Sequence, residues 1–211
     1  MGLSISVGLL ADLKHNDTEG YEEYREAFGK LSAALAKAGV DWQEPETGDG
    51  AVYSGGFPYG YLTRLRRIYV LVQEGDRITP APAHGTPEER RDRERIDDEM
   101  VMFSSHLLCH ADDAGYYIPV ALDDPLFLPE GAEIAGAGMV GSSQALLAEL
   151  IGIAPALGIE LDEKGGPTAR AGTDLEATPS DDPFEPERYA WCRLYEACRA
   201  GIASGRAVVF C

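Results

Sequence analysis

The sequence predicts an α+β fold, with about five helices packed on a small mixed sheet. Apolar residues alternate with small residues near the N-terminus, and they recur every three or four positions in several later stretches. A short β-branched run closes the chain. With 211 residues, 45% of them hydrophobic, the chain is long enough to bury one core. We therefore expect a single domain over residues 1–211.

Three segments are predicted to form the sheet. In residues 2–10 the larger apolar side chains fall on one face and glycines and serines on the other, which is typical of a half-buried strand. Residues 116–120 follow Gly115 and contain aromatic and β-branched residues, which favours a second strand. Residues 207–210 are predicted as a third strand, paired with the N-terminal one.

Helix starts and stops are marked by capping residues, prolines and glycines. In residues 160–183, by contrast, Gly, Pro, Thr and Asp are frequent, so we expect a mobile surface loop there. The predicted helices cover about 18–38, 58–72, 86–110, 142–151 and 183–204.

The charge balance limits the classes of partner. The chain has 36 acidic and 18 basic residues, a net charge of −18. Such a surface repels phosphate backbones and anionic lipids, so we expect neither nucleic acid nor a membrane as partner, whereas a basic protein would be attracted. The N-terminus lacks the features of a signal peptide, no apolar run has the length of a membrane span, and the four cysteines are irregularly spaced. We therefore predict a cytoplasmic protein.

Residues 104–119, SSHLLCHADDAGYYIP, concentrate groups that could carry chemistry. His106 and His110 are four apart, so on a helix they would share a face and could bind a metal ion, with zinc as the candidate and Asp112 as a further ligand. The spacing imitates a zinc-protease helix, but Leu107 stands where that family has its general base. The alternative is that the two histidines only complete the end of a helix.

The same block contains a candidate nucleophile. Cys109 could be activated by His106, one helical turn before it. The alternative is a buried cysteine that acts as a small hydrophobic residue. Three aromatic residues, Tyr116, Tyr117 and Trp191, could instead line a pocket for a small molecule.

Three segments carry a resemblance to a family. SSHLLCHADDAGYYIPV, the opening MGLSISVGLLADLK and GSSQALLAEL resemble an uncharacterised family of small acidic bacterial proteins with no assigned activity. The resemblance extends over most of the chain. It implies a bacterial cytoplasmic origin and one shared fold, and it carries no mechanism.

The function favoured by these observations is that of an acidic cytoplasmic module that docks a basic protein, as an immunity protein or antitoxin does. A second hypothesis is a metal-dependent hydrolase with His106 and His110 as ligands, Asp112 or Asp113 as ligand or general base, and a bound water as nucleophile. A third is a small-molecule binder. The oligomeric state is not predicted by the sequence.

Overall fold

A mixed sheet of six strands lies at the centre of the part of the chain that the structure, a computed structural model, describes: residues 2–48, 50–111, 114–132, 134 and 136–211. The order across the sheet is β2-β1-β6-β3-β5-β4. Only β3 and β5 run parallel; the other neighbouring pairs are antiparallel. The strands are β1 (Gly2–Val7), β2 (Tyr53–Pro58), β3 (Gly115–Ile118), β4 (Leu126–Phe127), β5 (Met139–Ser142) and β6 (Val208–Phe210).

The three predicted strands are confirmed as β1, β3 and β6, and they are neighbours in the sheet. The C-terminal strand β6 pairs with β1 on one side and with β3 on the other. Pairing of the two chain ends, which the sequence predicts, is therefore confirmed.

Seven α-helices are present in the described residues, and the α+β class is confirmed. The five predicted helices correspond to α2, α3, α4, α5 and α7. The helices are α1 (Leu9–Asn16), α2 (Thr18–Lys37), α3 (Tyr61–Gln73), α4 (Pro87–Met100), α5 (Ser143–Ile153), α6 (Ala169–Glu176) and α7 (Glu185–Ser204).

Several boundaries differ from the prediction. The helix predicted from residue 58 begins at Tyr61, because Pro58 belongs to β2. The alternating N-terminal run ends at Gly8, whose φ of 84° closes the strand, so that Leu9 already belongs to α1. The predicted loop 160–183 contains α6.

Helix α4 ends at Met100, so the prediction of a helix as far as His110 is wrong. The reason is a set of tertiary contacts: side chains of α3 and α5 form hydrogen bonds with the backbone of the segment that follows α4, as described below.

Both faces of the sheet are covered by helices. Helices α3, α5 and α7 bury one face with a core that includes Leu65, Leu150 and Trp191. Helices α1 and α2 contribute Leu10 and Leu31 to the core on the other face. Within the described residues, no helix is both long and apolar enough to cross a membrane.

Candidate functional site

The segment Ser105–His110 is a buried connector between α4 and β3 rather than a helix. All six residues are buried. A buried segment without helical hydrogen bonds must satisfy its backbone donors and acceptors elsewhere. Two charged side chains from neighbouring helices provide these partners.

Glu149 of α5 accepts hydrogen bonds from three donors of the connector. Its Oε1 lies 2.9 Å from the backbone nitrogen of His106, and its Oε2 lies 2.7 Å from that of Leu107 and 3.2 Å from the Ser105 hydroxyl. Burial raises the pKa of Glu149, and these hydrogen bonds oppose the shift. The Glu149 carboxylate therefore serves as the hydrogen-bond acceptor for the backbone of the connector.

Arg66 of α3 holds the connector from the other side. Its guanidinium is buried and donates hydrogen bonds to the backbone carbonyls of Leu107 and His110. Glu149 thus accepts from the start of the connector, and Arg66 donates to its middle and end. Together they replace the hydrogen bonds that a continued α4 would have made.

The two predicted ligand histidines are each bonded to a different part of the sheet. His106 Nδ1 accepts a hydrogen bond from the backbone N–H of Ser142 at 2.9 Å, at the end of β5. His110 Nε2 lies 2.8 Å from the carbonyl oxygen of Tyr116 in β3. Burial lowers the pKa of His106, and it lowers the pKa of His110 to about 4. Both rings are therefore neutral near pH 7 and serve as buried hydrogen-bonding groups.

The structure does not bring these histidines together as a metal centre. Among the described residues, no group of three or more His, Cys, Asp or Glu side chains is arranged to hold a metal ion. Asp112 and Asp113, the predicted ligand and base, lie outside the described residues. The metal and catalytic roles of this block stay predictions.

Cys109 has the environment of a buried thiol. Its Sγ lies 3.2 Å from the carbonyl oxygen of His106, and burial raises the pKa of the thiol to about 12. A nucleophilic cysteine needs a pKa shifted in the opposite direction. The contact with His106 therefore involves the backbone oxygen and not the imidazole that the sequence argument invoked.

The predicted ligand-binding aromatics lie in the core. Tyr117 and Trp191 are buried on one face of the sheet, and Tyr116 is buried on the other. Trp191 donates from its indole nitrogen to the Leu150 carbonyl at 2.7 Å and stacks on Tyr195. The three rings therefore do not share one surface, and their role in binding stays a prediction.

A stronger functional signal lies in how charge is distributed along the chain. From residue 96 to residue 163 there are 13 acidic residues and no Lys or Arg. We call these 68 residues the anionic stretch. Its described carboxylates outside Glu149 are mostly exposed, and they include Asp97, Asp98, Asp123, Asp124 and Glu130.

The region before the anionic stretch is close to neutral and arginine-rich. Residues 59–95 contain eight arginines and six acids. Several of these arginines are used within the fold: Arg67 pairs with Asp92, and Arg95 pairs with Glu74 and Asp76. Seven of the 18 cations thus lie on α3 and α4, and much of the excess negative charge lies elsewhere. The net charge alone could not reveal this segregation, but a count of each sign along the chain would have found it.

A second row of carboxylates lies on α2. Glu19, Glu22, Glu23 and Glu26 are exposed and follow one another at steps of three, one and three residues. Residues at these spacings occupy neighbouring positions on one side of a helix. Glu22 and Glu26 also pair with Arg25 and Lys30 of the same helix, at 2.7 Å each.

Comparison with known proteins gives one family. The family is described as "Putative DNA-mimic protein" and matches residues 1–210. No curated protein and no solved structure matches the chain.

The family description agrees with the prediction of an uncharacterised family and of an acidic protein with a basic partner. It corrects the predicted partner in one respect. From the sequence we expect an unspecified basic protein as partner and no part for nucleic acid, whereas the family description introduces DNA as the molecule that is mimicked and so points to proteins that bind DNA. Because the match covers almost the whole chain, the protein belongs to this DNA-mimic family.

Proposed function

We propose that the chain binds the DNA-binding face of a protein, with its carboxylates in the places that DNA fills with phosphates. The observation that carries this proposal is the anionic stretch, in which 68 consecutive residues contain 13 acids and no Lys or Arg. Lysines and arginines of a DNA-binding face are arranged to meet closely spaced negative charges. The exposed carboxylates of this stretch have no Lys or Arg within it as competing partners, which leaves them available to such a face.

Most of the exposed acids that the structure describes in this stretch hold no backbone group. Asp162 is an exception, since it accepts from the Lys164 and Gly166 N–H groups, and the half-buried Glu149 supports the buried connector.

Asp97, Asp98, Asp123 and Asp124 are exposed, and no ion pair is formed by them among the described residues. Holding like charges together destabilises a folded protein, so their retention favours a role in binding.

The spacing of carboxylates on α2 supports the same function. An α-helix rises about 1.5 Å per residue, so acids three or four apart are separated by roughly 5 Å along the axis. Each strand of duplex DNA carries a phosphate about every 3.4 Å of helix axis. The ion pairs to Arg25 and Lys30 are exposed and therefore weak, so cations of a partner can replace them.

The cysteines support a cytoplasmic location. All four are free thiols, as expected in the reducing cytoplasm, where DNA-binding proteins are also found. We infer that the chain meets its partner there.

A capture experiment with competitive elution tests the proposal. The full chain is immobilised, exposed to native lysate at low salt, washed, and eluted first with short duplex DNA and then with high salt. The proposal predicts that DNA-binding proteins leave the resin in the duplex step. Retained proteins that leave only with high salt would contradict it, as would a resin that retains nothing.

A matched resin controls for charge alone. It carries polyglutamate at the same density of carboxylates, so it retains cations without the geometry of the folded surface. The proteins assigned to the chain are those that the polyglutamate resin does not retain.

A further inference from the structure

Four large apolar side chains of the anionic stretch are exposed, in the segment after α4 and in strand β4 at the edge of the sheet. Val101, Met102, Phe103 and Phe127 are 64%, 67%, 41% and 63% exposed. The rings of Phe103 and Phe127 contact each other edge to face, with centroids 4.9 Å apart. This contact joins the segment after α4 to strand β4 at the edge of the sheet. We call these four residues the apolar patch.

Phe103 is held in an unfavourable backbone conformation. Its φ is 54°, and it is the one non-glycine residue with positive φ in the described chain. Glycine or asparagine adopts this conformation more easily than phenylalanine. Strain of this kind is concentrated at functional sites, and here it accompanies an exposed aromatic ring. The N–H of Phe103 also bonds to the Met100 carbonyl at the end of α4, so the same conformation turns the chain out of the helix.

A cavity adjoins the patch. Its volume is about 310 Å³, and its lining includes Phe127, Ala137 and Met139 together with two small residues, Gly136 and Gly138. These walls are mostly apolar and carry few large side chains. The cavity can therefore accept an apolar side chain that arrives over the ring of Phe127.

The charges around the patch restrict what can cover it. Asp97 and Asp98 lie a few residues before Phe103, Asp123 and Asp124 lie just before Phe127, and all four are exposed. A second copy of the chain on this patch would bring two sets of these aspartates together, and like charges in one interface are strongly unfavourable. The complementary surface is cationic and carries an apolar side chain.

We infer that the apolar patch receives an apolar or aromatic side chain that projects from the cationic DNA-binding face of the partner. The inference rests on the proposed function and narrows it. Some DNA-binding proteins insert apolar side chains between base steps, and others stack aromatic side chains on bases. The Phe103–Phe127 pair stands in for the bases, and the surrounding carboxylates stand in for the phosphates.

Two synthetic peptides serve as probes of the full chain. They have equal length and equal numbers of arginines; one alternates arginine with glycine, and in the other some of the glycines are replaced by phenylalanine. Affinity is measured by fluorescence anisotropy at low salt. The phenylalanine peptide should bind about tenfold more tightly, because it buries an aromatic side chain in addition to the charge contacts.

The double variant F103S/F127S is expected to remove that preference. It should bind the two peptides equally, and its affinity for the glycine peptide should stay that of the wild type, since the carboxylates are intact. Y59S is the matched control, because Tyr59 is 53% exposed and lies near the arginines of α3. Y59S should keep the wild-type preference. Far-ultraviolet circular dichroism confirms that each variant is folded.

Failure of this inference is distinguishable from failure of the proposed function. Equal binding of both peptides by the wild type, or a preference that survives in F103S/F127S, would overturn the inference and leave the proposed function standing. If neither peptide binds, the proposed function fails as well. Sedimentation that shows a wild-type dimer, abolished in F103S/F127S, would assign the patch to a second copy and overturn the inference.

Discussion

Glu149 shows how one side chain can determine the conformation of residues 104–119, and with it the chemistry that these residues can carry out. The helix predicted over residues 86–110 would contain His106, Cys109 and His110, and on a helix a spacing of three or four residues brings side chains together. In the structure Glu149 and Arg66 hold this segment in another conformation, and its rings bond to backbone groups of β3 and β5. Spacing along a sequence has meaning only when the secondary structure is known, and here the deciding partners are more than 40 residues away.

The substitution E149A should destabilise the protein strongly. It leaves the N–H groups of His106 and Leu107 and the Ser105 hydroxyl without their acceptor, at a cost of about 2–4 kcal/mol in the free energy of unfolding. Urea unfolding followed by circular dichroism measures the loss. E130A is the control, because Glu130 is exposed and should change stability by no more than about 0.5 kcal/mol. Equal stability of both variants would show that the connector is held in another way.

Glu44 should make stability depend on pH. Its carboxylate is buried and accepts from the Ala207 N–H at 2.8 Å, and burial raises its pKa from 4.5 to about 7. Because the folded pKa is the higher one, ionised Glu44 destabilises the fold above pH 7, and this cost disappears as the pH falls towards 4.5. A shift of this size corresponds to about 3 kcal/mol.

The variant E44Q isolates this effect. Its stability advantage over the wild type should be largest above pH 7 and should shrink by about 3 kcal/mol as the pH falls to 4.5. The comparison is needed because His110 acts in the opposite sense: its lowered folded pKa makes stability fall as the pH drops from 6.5 to about 4. That contribution is the same in both proteins. Urea unfolding across this range measures the difference, and a constant difference would contradict the assignment.

At the scale of elements, the local signals gave the major helices and the three central strands. Strong caps such as Thr86, Asp17 and Ser142 mark helix starts that the structure confirms. Strands β2, β4 and β5 were missed, and β2 was missed because its glycines are typical of a loop. Gly56 is needed there, since a Cβ at this position would lie 2.3 Å from the carbonyl oxygen of Leu3 in the neighbouring strand. Close approach of two backbones leaves no pattern that a single sequence could reveal.

The aspartates beside strand β4 should contribute more to partner binding than the glutamates of α4. The double variant D123N/D124N, beside strand β4, should weaken binding to the protein captured by duplex elution about tenfold, because it removes carboxylates from the anionic stretch. The control E88Q/E94Q makes the same change in net charge on α4, where Glu88 pairs with Arg91. It should change affinity by no more than about twofold. Equal losses in both variants, measured by anisotropy or calorimetry, would mean that only total charge matters.

At the scale of the whole molecule, the composition predicted an acidic docking protein but not the kind of face it docks on. A net charge of −18 is compatible with any cationic partner. The separation of an arginine-rich, nearly neutral region from the anionic stretch is visible in the sequence, whereas the exposure of the apolar patch and the conformation of Phe103 require the structure. These features together describe a surface with phosphate-like charges and a base-like apolar centre.

Displacement of DNA tests the central claim most directly. Labelled duplex is bound to the captured partner at fixed low salt, the full chain is added, and anisotropy reports the duplex that remains bound. The account predicts complete displacement, with an apparent dissociation constant for the duplex that rises in proportion to the concentration of the chain. A ternary complex, in which chain and duplex stay bound to one partner together, would contradict it.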